Sequence, residues 1–274
     1  MSGTQNMTLL VKHLGLVGYE PTWRAMQAAN KARVPATQDE LWLLQHPPVF
    51  TLGLAGKPEH VLAPGDVPVV KIDRGGQVTY HGPGQLVIYL MLDLRRLADQ
   101  GKCKGVKELV KRIEQSLIDL LAGYGIDSYR LTGMPGVYVA SPSLQPLSLE
   151  GREASFSSLP PRGGGSVGEF EPQAASPDDG RSMQRTARSA RGEGEGEWAG
   201  HAKIASIGLR VANHATYHGL SLNIDMNVEP FSRINPCGYE GLAVTQMRDL
   251  GVTDKMDAIG EKLVSHLKSN LHGL

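Results

Sequence analysis

Cysteine is almost missing from this chain: 274 residues carry two, Cys103 and Cys237. Two thiols cannot build a disulfide framework or a tetrathiolate zinc site, so any role for sulfur rests on one reactive side chain. Net charge is missing as well, because 28 Lys and Arg balance 28 Asp and Glu. Without a general field, dedicated nucleic-acid binding and stable membrane association are disfavoured, while a local patch for docking a protein remains open. Long apolar runs are missing too. No segment approaches the roughly eighteen consecutive apolar residues of a membrane span. The opening MSGTQNMTLLVKHLGLVG has neither a basic leader nor an apolar stretch with a cleavage site. A soluble, cytoplasmic protein is expected.

Glycine, by contrast, is plentiful at 33 residues, and its distribution divides the chain. Between 141 and 200, ten Gly, ten Ser and six Pro stand among sixty residues. The aromatics there, Phe156, Phe170 and Trp198, are too dispersed to offset the entropy of ordering the tract. We read 141–200 as a flexible, low-complexity insertion within a single domain, 1–274. The remainder alternates between the periods of strand and helix. LWLLQ, VFTLG, VPVVKI and LVIYLMLDL read as strands, the last deeply buried. Pro21 opens a helix with Trp23, Met26 and Asn30 along its face. Over 105–122, Val106, Leu109, Val110, Ile113, Leu117 and Leu120 form one stripe, with Lys, Arg and Glu on the wet face. VYVA precedes the insertion, KIASIGLRV and GLSLNI follow it, and TDKMDAIGEKLVSHLKSNL closes the chain as an amphipathic helix. A mixed α/β domain is expected.

Chemistry concentrates in RGGQVTYHGPGQLVIY, residues 74–89. Gly75 and Gly76 permit close backbone approach, Gly82, Pro83 and Gly84 define a turn, and Thr79 and His81 offer polar contacts to a ligand. The same residues also suit a plain hairpin. The segment is neither GxxxxGK[ST] nor a strand-to-helix GxGxxG, so nucleotide binding gains little. Of the two cysteines, Cys103 lies among lysines in GKCKG, whereas Pro236 and Gly238 bracket Cys237 in a turn that suits a nucleophile. Lys203, at the start of an apolar strand, could stabilise a Cys237 thiolate or accept a proton if the fold joins them. Such a thiol can take an acyl group from a thioester and release it to an amine. His214 and His218 have a spacing that suits zinc only on a helix, and the strand pattern here argues against that. Thiol hydrolysis, by Cys237 with His81 or His218, is the competing enzymatic reading, and acyl binding without turnover the non-enzymatic one.

RGGQVTYHGPGQ with LVIYLMLDL, then KIASIG, HGLSLNI and INPCGYEG, in that order, closely resemble the octanoyltransferase family of lipoate biosynthesis. The resemblance covers most of the chain outside 141–200 and implies the mixed-sheet domain shared with biotin and lipoate protein ligases. It implies transfer of octanoyl from acyl carrier protein to a lysine of lipoyl domains, in 2-oxoacid dehydrogenase complexes and the glycine cleavage H protein, by a monomer. No ATP, metal or other cofactor is implied. By the family pattern Cys237 matches the acyl-accepting cysteine and Lys203 the catalytic lysine. Arg74, Gly75, Gly76, Thr79, Tyr80, His81, Gly82 and Gln85 match the substrate pocket, joined by Ser206, Ile207 and Gly208 and by His218, Gly219 and Asn223. An apolar tunnel for the eight-carbon chain is expected from VFTLG, LVIYLML and IASIGL. The chain departs from the pattern in the long tract before Lys203.

Overall fold

The computed structural model describes residues 9–101, 103–141 and 200–272. Strand β6 (Gln85–Met91) is buried at every position. Successive side chains of a strand point to opposite faces, so a strand apolar throughout must lie between two layers. Leu86, Ile88 and Leu90 face the layer formed by helices α3 (Val106–Ala122) and α4 (Met256–His272), meeting Leu109, Ile113, Leu117, Ile259 and Leu263. Val87, Tyr89 and Met91 face the other way, toward Met26 of helix α1 (Tyr19–Lys31). That helix starts two residues ahead of Pro21 and buries Thr22, Met26 and Asn30. The short helix α2 (Leu94–Asp99) is capped by Asp93, whose carboxylate accepts the N–H groups of Arg95 and Arg96.

Around β6 the main sheet runs β1 (Leu10–Leu16), β2 (Glu40–Gln45), β6, β10 (Ala215–Asn223), β9 (His201–Ala212), β8 (Met134–Ala140) and β7 (Tyr129–Leu131). β1 and β2 are parallel, the later neighbours antiparallel, and the two-residue β11 (Ala243–Val244) joins β9 in parallel. A second sheet places β3 (Val49–Leu52) between β4 (Val69–Lys71) and β5 (Val78–His81). Its own core gathers Phe50, Leu52, Val78 and Tyr80 against Met226, Phe231 and Ile234. The mixed α/β reading therefore holds, with strand segments where the apolar runs fall. Among the described residues no helix is long and apolar enough to cross a membrane.

Two local features position the site. Gly219 of β10 lies opposite Tyr89, and a Cβ there would stand 1.9 Å from the Ile88 carbonyl oxygen, so the close approach of β10 to β6 requires glycine. The expected insertion at 141–200 lies outside the described residues except at its ends. There Ala140 pairs with His201, and the Ser141 N–H donates to the Gly200 carbonyl at 3.0 Å. The tract thus leaves and re-enters the sheet at one point, three residues before Lys203.

Candidate active site

A cavity of about 350 Å³ opens between the two sheets and the N-terminal end of α3. Cys237 enters it from a 3-10 turn, Pro236–Gly238, in the left-handed region at φ 58° and ψ 15°. Such a conformation costs a non-glycine residue free energy and holds the thiol in one presentation. Lys203 enters from β9 and is 3% exposed. Its Nζ donates to Cys237 Sγ at 3.0 Å and to the Pro135 carbonyl at 2.9 Å, and lies 5.1 Å from the centre of the Tyr138 ring. Burial pulls the ammonium toward neutrality, but the facing Cys237 and Tyr138 outweigh it and raise its proton affinity above the ordinary lysine range. The fold thus joins residues 34 apart in sequence into a thiol and ammonium pair.

The RGG turn forms the opposite wall. Arg74 is buried, and its guanidinium donates to the carbonyls of Gly75 and Thr51 and to the Thr51 hydroxyl, at 2.8 to 3.0 Å. Burial lowers its proton affinity, an effect that the neighbouring Tyr19, Cys237 and Tyr89 oppose only in part. No carboxylate among the described residues pairs with it within salt-bridge distance, so a buried cation held only by neutral acceptors stands in the cavity wall. The turn is tied to both sheets: Gly75 N–H donates to Leu209 on β9, while Leu54 and Ala55, just past β3, donate to Arg74 and Gly76.

Beside this wall lies a histidine cluster, of which His81 and His218 line the cavity. His81 Nδ1 bonds Gln85 Oε1 at 2.7 Å, and Gln85 Nε2 donates to Asn223 Oδ1 and to the Tyr80 carbonyl. His46 bridges the Val17 carbonyl and the Tyr89 hydroxyl, each at 2.7 Å. Burial pushes His46 down to about 4, and burial with the neighbouring His46 pushes His81 to about 3. His218, at φ 63°, reaches Asp73 through Nε2 at 3.0 Å. Asp73 also accepts from Trp23, Gln27 and Tyr217. Partial burial opposes its ionisation, yet these four donors, led by His218, hold the carboxyl well below the usual range.

The histidines make a stability prediction. Both folded values lie below the ordinary ~6.5 of an unfolded histidine, so their contribution is fully present above that pH. It is lost as pH falls toward the folded values, because only the unfolded chain takes up protons readily. By pH ~4 each costs on the order of 3 kcal/mol. Thermal melting from pH 7 to 4.5 should show a steep fall in Tm, shallower in His81→Gln. A Tm independent of pH over that range contradicts the reading.

Most residues anticipated from sequence meet at this cavity: Cys237, Lys203, Arg74, Gly75, Gly76, Thr79, His81, Ser206, Ile207, Gly208, His218 and Gly219 line it. Tyr80, Gly82, Gln85 and Asn223 do not. Tyr80 packs in the second sheet's core and Gly82 sits on its ring, while Gln85 and Asn223 support His81 from behind. The expected tunnel wall from VFTLG is corrected as well, since β3 packs Phe50 into that second core and braces the RGG turn from outside. Val106 and Val110 of α3, with Gly133 and the first two residues of β8, supply wall in its place. Cys103 is buried away from this group, with Sγ 3.2 Å from the Gly105 carbonyl. His214 stands in the turn between β9 and β10, and His218 within β10, so the two do not share a helix face. Sequence reasoning missed His46, Tyr19, Asp73 and Glu114. Only Asp73 carried a usable signal, as the acid directly before RGG.

A cavity joining a cysteine and lysine pair to a glycine-rich strand entry, on this mixed sheet, suits an enzyme of covalent acyl chemistry. The family model described as the lipoyl protein ligase A/B catalytic domain matches residues 19–160 and 173–268. A chain from the structure of a bipartite lipoate protein ligase and its E2 lipoyl domain, from Thermoplasma acidophilum, superposes with a TM-score of 0.58 at 12% identity. The match covers 97% of this chain and 84% of that one, a likeness of fold. The octanoyltransferase of Laribacter hongkongensis is 46% identical over 95% of both chains, and that of Chromobacterium violaceum 47% identical over 97% of both. This chain belongs to the octanoyltransferase family.

Proposed function

We propose that the enzyme moves an octanoyl group from acyl carrier protein to a specific lysine of a lipoyl domain through a thioester on Cys237. The contact of Lys203 Nζ with Cys237 Sγ, at 3.0 Å in an otherwise largely apolar cavity, carries this reading. The Cys237 thiolate attacks the carrier thioester, the bond to the carrier sulfur breaks, and the Lys203 ammonium gives that sulfur its proton. Neutral Lys203 then takes a proton from the target amine as the amine attacks the enzyme thioester. The amide forms, Cys237 leaves as thiolate, and the starting charge state returns. The ammonium and the buried Arg74 guanidinium together stabilise the negative charge that develops on the carbonyl oxygen.

Val87, Val106, Val110, Ile207, Leu209 and Leu220 give the cavity the hydrocarbon surface an eight-carbon chain needs. His81 and His218, whose proton affinity burial lowers, add polar contacts to the lining. The targets are the lipoyl domains of 2-oxoacid dehydrogenase complexes and the glycine cleavage H protein, acylated in the cytoplasm by a monomeric enzyme. Intact-protein mass spectrometry tests the reading: octanoyl-acyl carrier protein, this chain and an apo lipoyl domain are mixed without ATP. An octanoyl adduct on the enzyme followed by the same gain on the target is expected. Product formed only with added ATP, or free octanoate in place of acylated target, overturns it.

A further inference from the structure

Glu114 stands on a helix face that the sequence pattern assigns to solvent, yet it is 6% exposed. Its Oε1 accepts the Gly136 N–H at 3.1 Å, and its Oε2 meets Arg130 Nε at 3.1 Å. The Gly136 N–H belongs to the same peptide unit as the Pro135 carbonyl, and that carbonyl accepts Lys203 Nζ at 2.9 Å. A single peptide group therefore has a carboxylate at its donor end and an ammonium at its acceptor end. The ammonium in turn touches Cys237 Sγ. Hydrogen bonds in series polarise one another, and a charged partner at each end strengthens both. Gly136 makes the approach possible: it sits at φ 133°, and a Cβ would stand 2.5 Å from the Ala205 carbonyl oxygen and 2.7 Å from Lys203 Cε.

Resting on the role given to Lys203 above, we propose that Glu114 is a positioning residue for acyl transfer. Through the peptide joining Pro135 to Gly136 it fixes Lys203 against Cys237 and keeps the proton on Nζ, and Arg130 limits how strongly it does so. The groups facing Lys203 are Cys237 and Tyr239 from the nucleophile turn, Tyr138 from β8, and Glu114 from α3 backed by Arg130 of β7, with Arg74 across the cavity. Cys237 and Tyr138 hold the proton directly, and Glu114 does so through a carbonyl that it orients and polarises. The device suits a lysine that must begin the cycle charged, surrender its proton to one thiol and recover it from an amine.

Glu114→Gln keeps an acceptor for the Gly136 N–H and removes only the charge, whereas Arg130→Gln removes the opposing charge from a half-exposed strand residue. The full chain is prepared with isotope-labelled lysine and with Cys237 blocked by iodoacetamide, so that no thiolate holds the proton. The Lys203 Cε resonance, identified by its loss in Lys203→Arg, is followed against pH. Its titration should move to lower pH in Glu114→Gln and to higher pH in Arg130→Gln. In the unblocked enzyme the alkaline limb of kcat should move in the same two directions, with KM for the lipoyl domain little changed. Unmoved titration in Glu114→Gln, or shifts of the same sign in both variants, overturns the proposal. Arg130→Gln carries the test alone should Glu114→Gln fail to fold. A wild-type chain that transfers no octanoyl while its Lys203 titration shifts as stated would remove the functional reading and leave this linkage standing.

Discussion

Cys237→Ala should yield a folded chain that takes up no octanoyl group from octanoyl-acyl carrier protein and transfers none to a lipoyl domain. The loss should be on the order of 10⁴-fold or more, the scale seen when a covalent nucleophile is removed. Folding should survive because the side chain shrinks by one sulfur in a partly exposed 3-10 turn, and the turn itself is held by backbone bonds from Gly238 to Asn235 and from Tyr239 to Pro236. Intact mass spectrometry decides the matter: a stoichiometric, transferable octanoyl adduct on the alanine variant would sink the assignment. Cys103→Ser serves as the control and should be mild. Cys103 is 2% exposed, outside the cavity, and among the described residues its thiol meets the neighbouring Gly105 carbonyl.

Lys203→Ala should separate the two half-reactions. Loading of Cys237 slows, because no ammonium stabilises the thiolate or protonates the departing carrier sulfur. Transfer to the target falls further, by roughly 10² to 10⁴-fold, since the attacking amine loses its proton acceptor. In the wild type, burial opposes the charge on Lys203 while Cys237 and Tyr138 hold it above the ordinary range. The sign follows: the starting ammonium is intact at neutral pH and lost only on the alkaline side. Stopped assays of single-turnover loading of Cys237 should show that alkaline limb in wild type and not in the variant. Transfer kinetics equal to wild type would reject the role.

Much of this was legible from residues alone, for reasons that differ by element. β6 was readable because burial on both faces leaves an unbroken apolar run, and α3 because its stripe repeats at the helical period. Cys237 stood out by its bracketing proline and glycine, and Lys203 by the apolar strand behind it. Glu114 was not legible: it reads as one of the wet-face charges of α3, and no pattern there announces Gly136 and Arg130, which satisfy its carboxylate from a separate hairpin. His46 was hidden for the same reason, since its partners are Val17 and Tyr89, 29 and 43 residues away. The exclusion of Tyr80 and VFTLG from the cavity also needed the tertiary structure. An apolar strand names a core without saying which of two cores it joins.

The bond from Ser141 to Gly200 bears on what can vary in this protein. It closes the β8 and β9 ladder at the base of the intervening tract, so the strands that carry Pro135 and Lys203 are already paired where the chain departs. A change in the number of residues that join these two ends is therefore not transmitted through the ladder to Pro135 and Lys203. The hairpin end is a site of tolerated length change, and a natural place at which to graft or excise sequence.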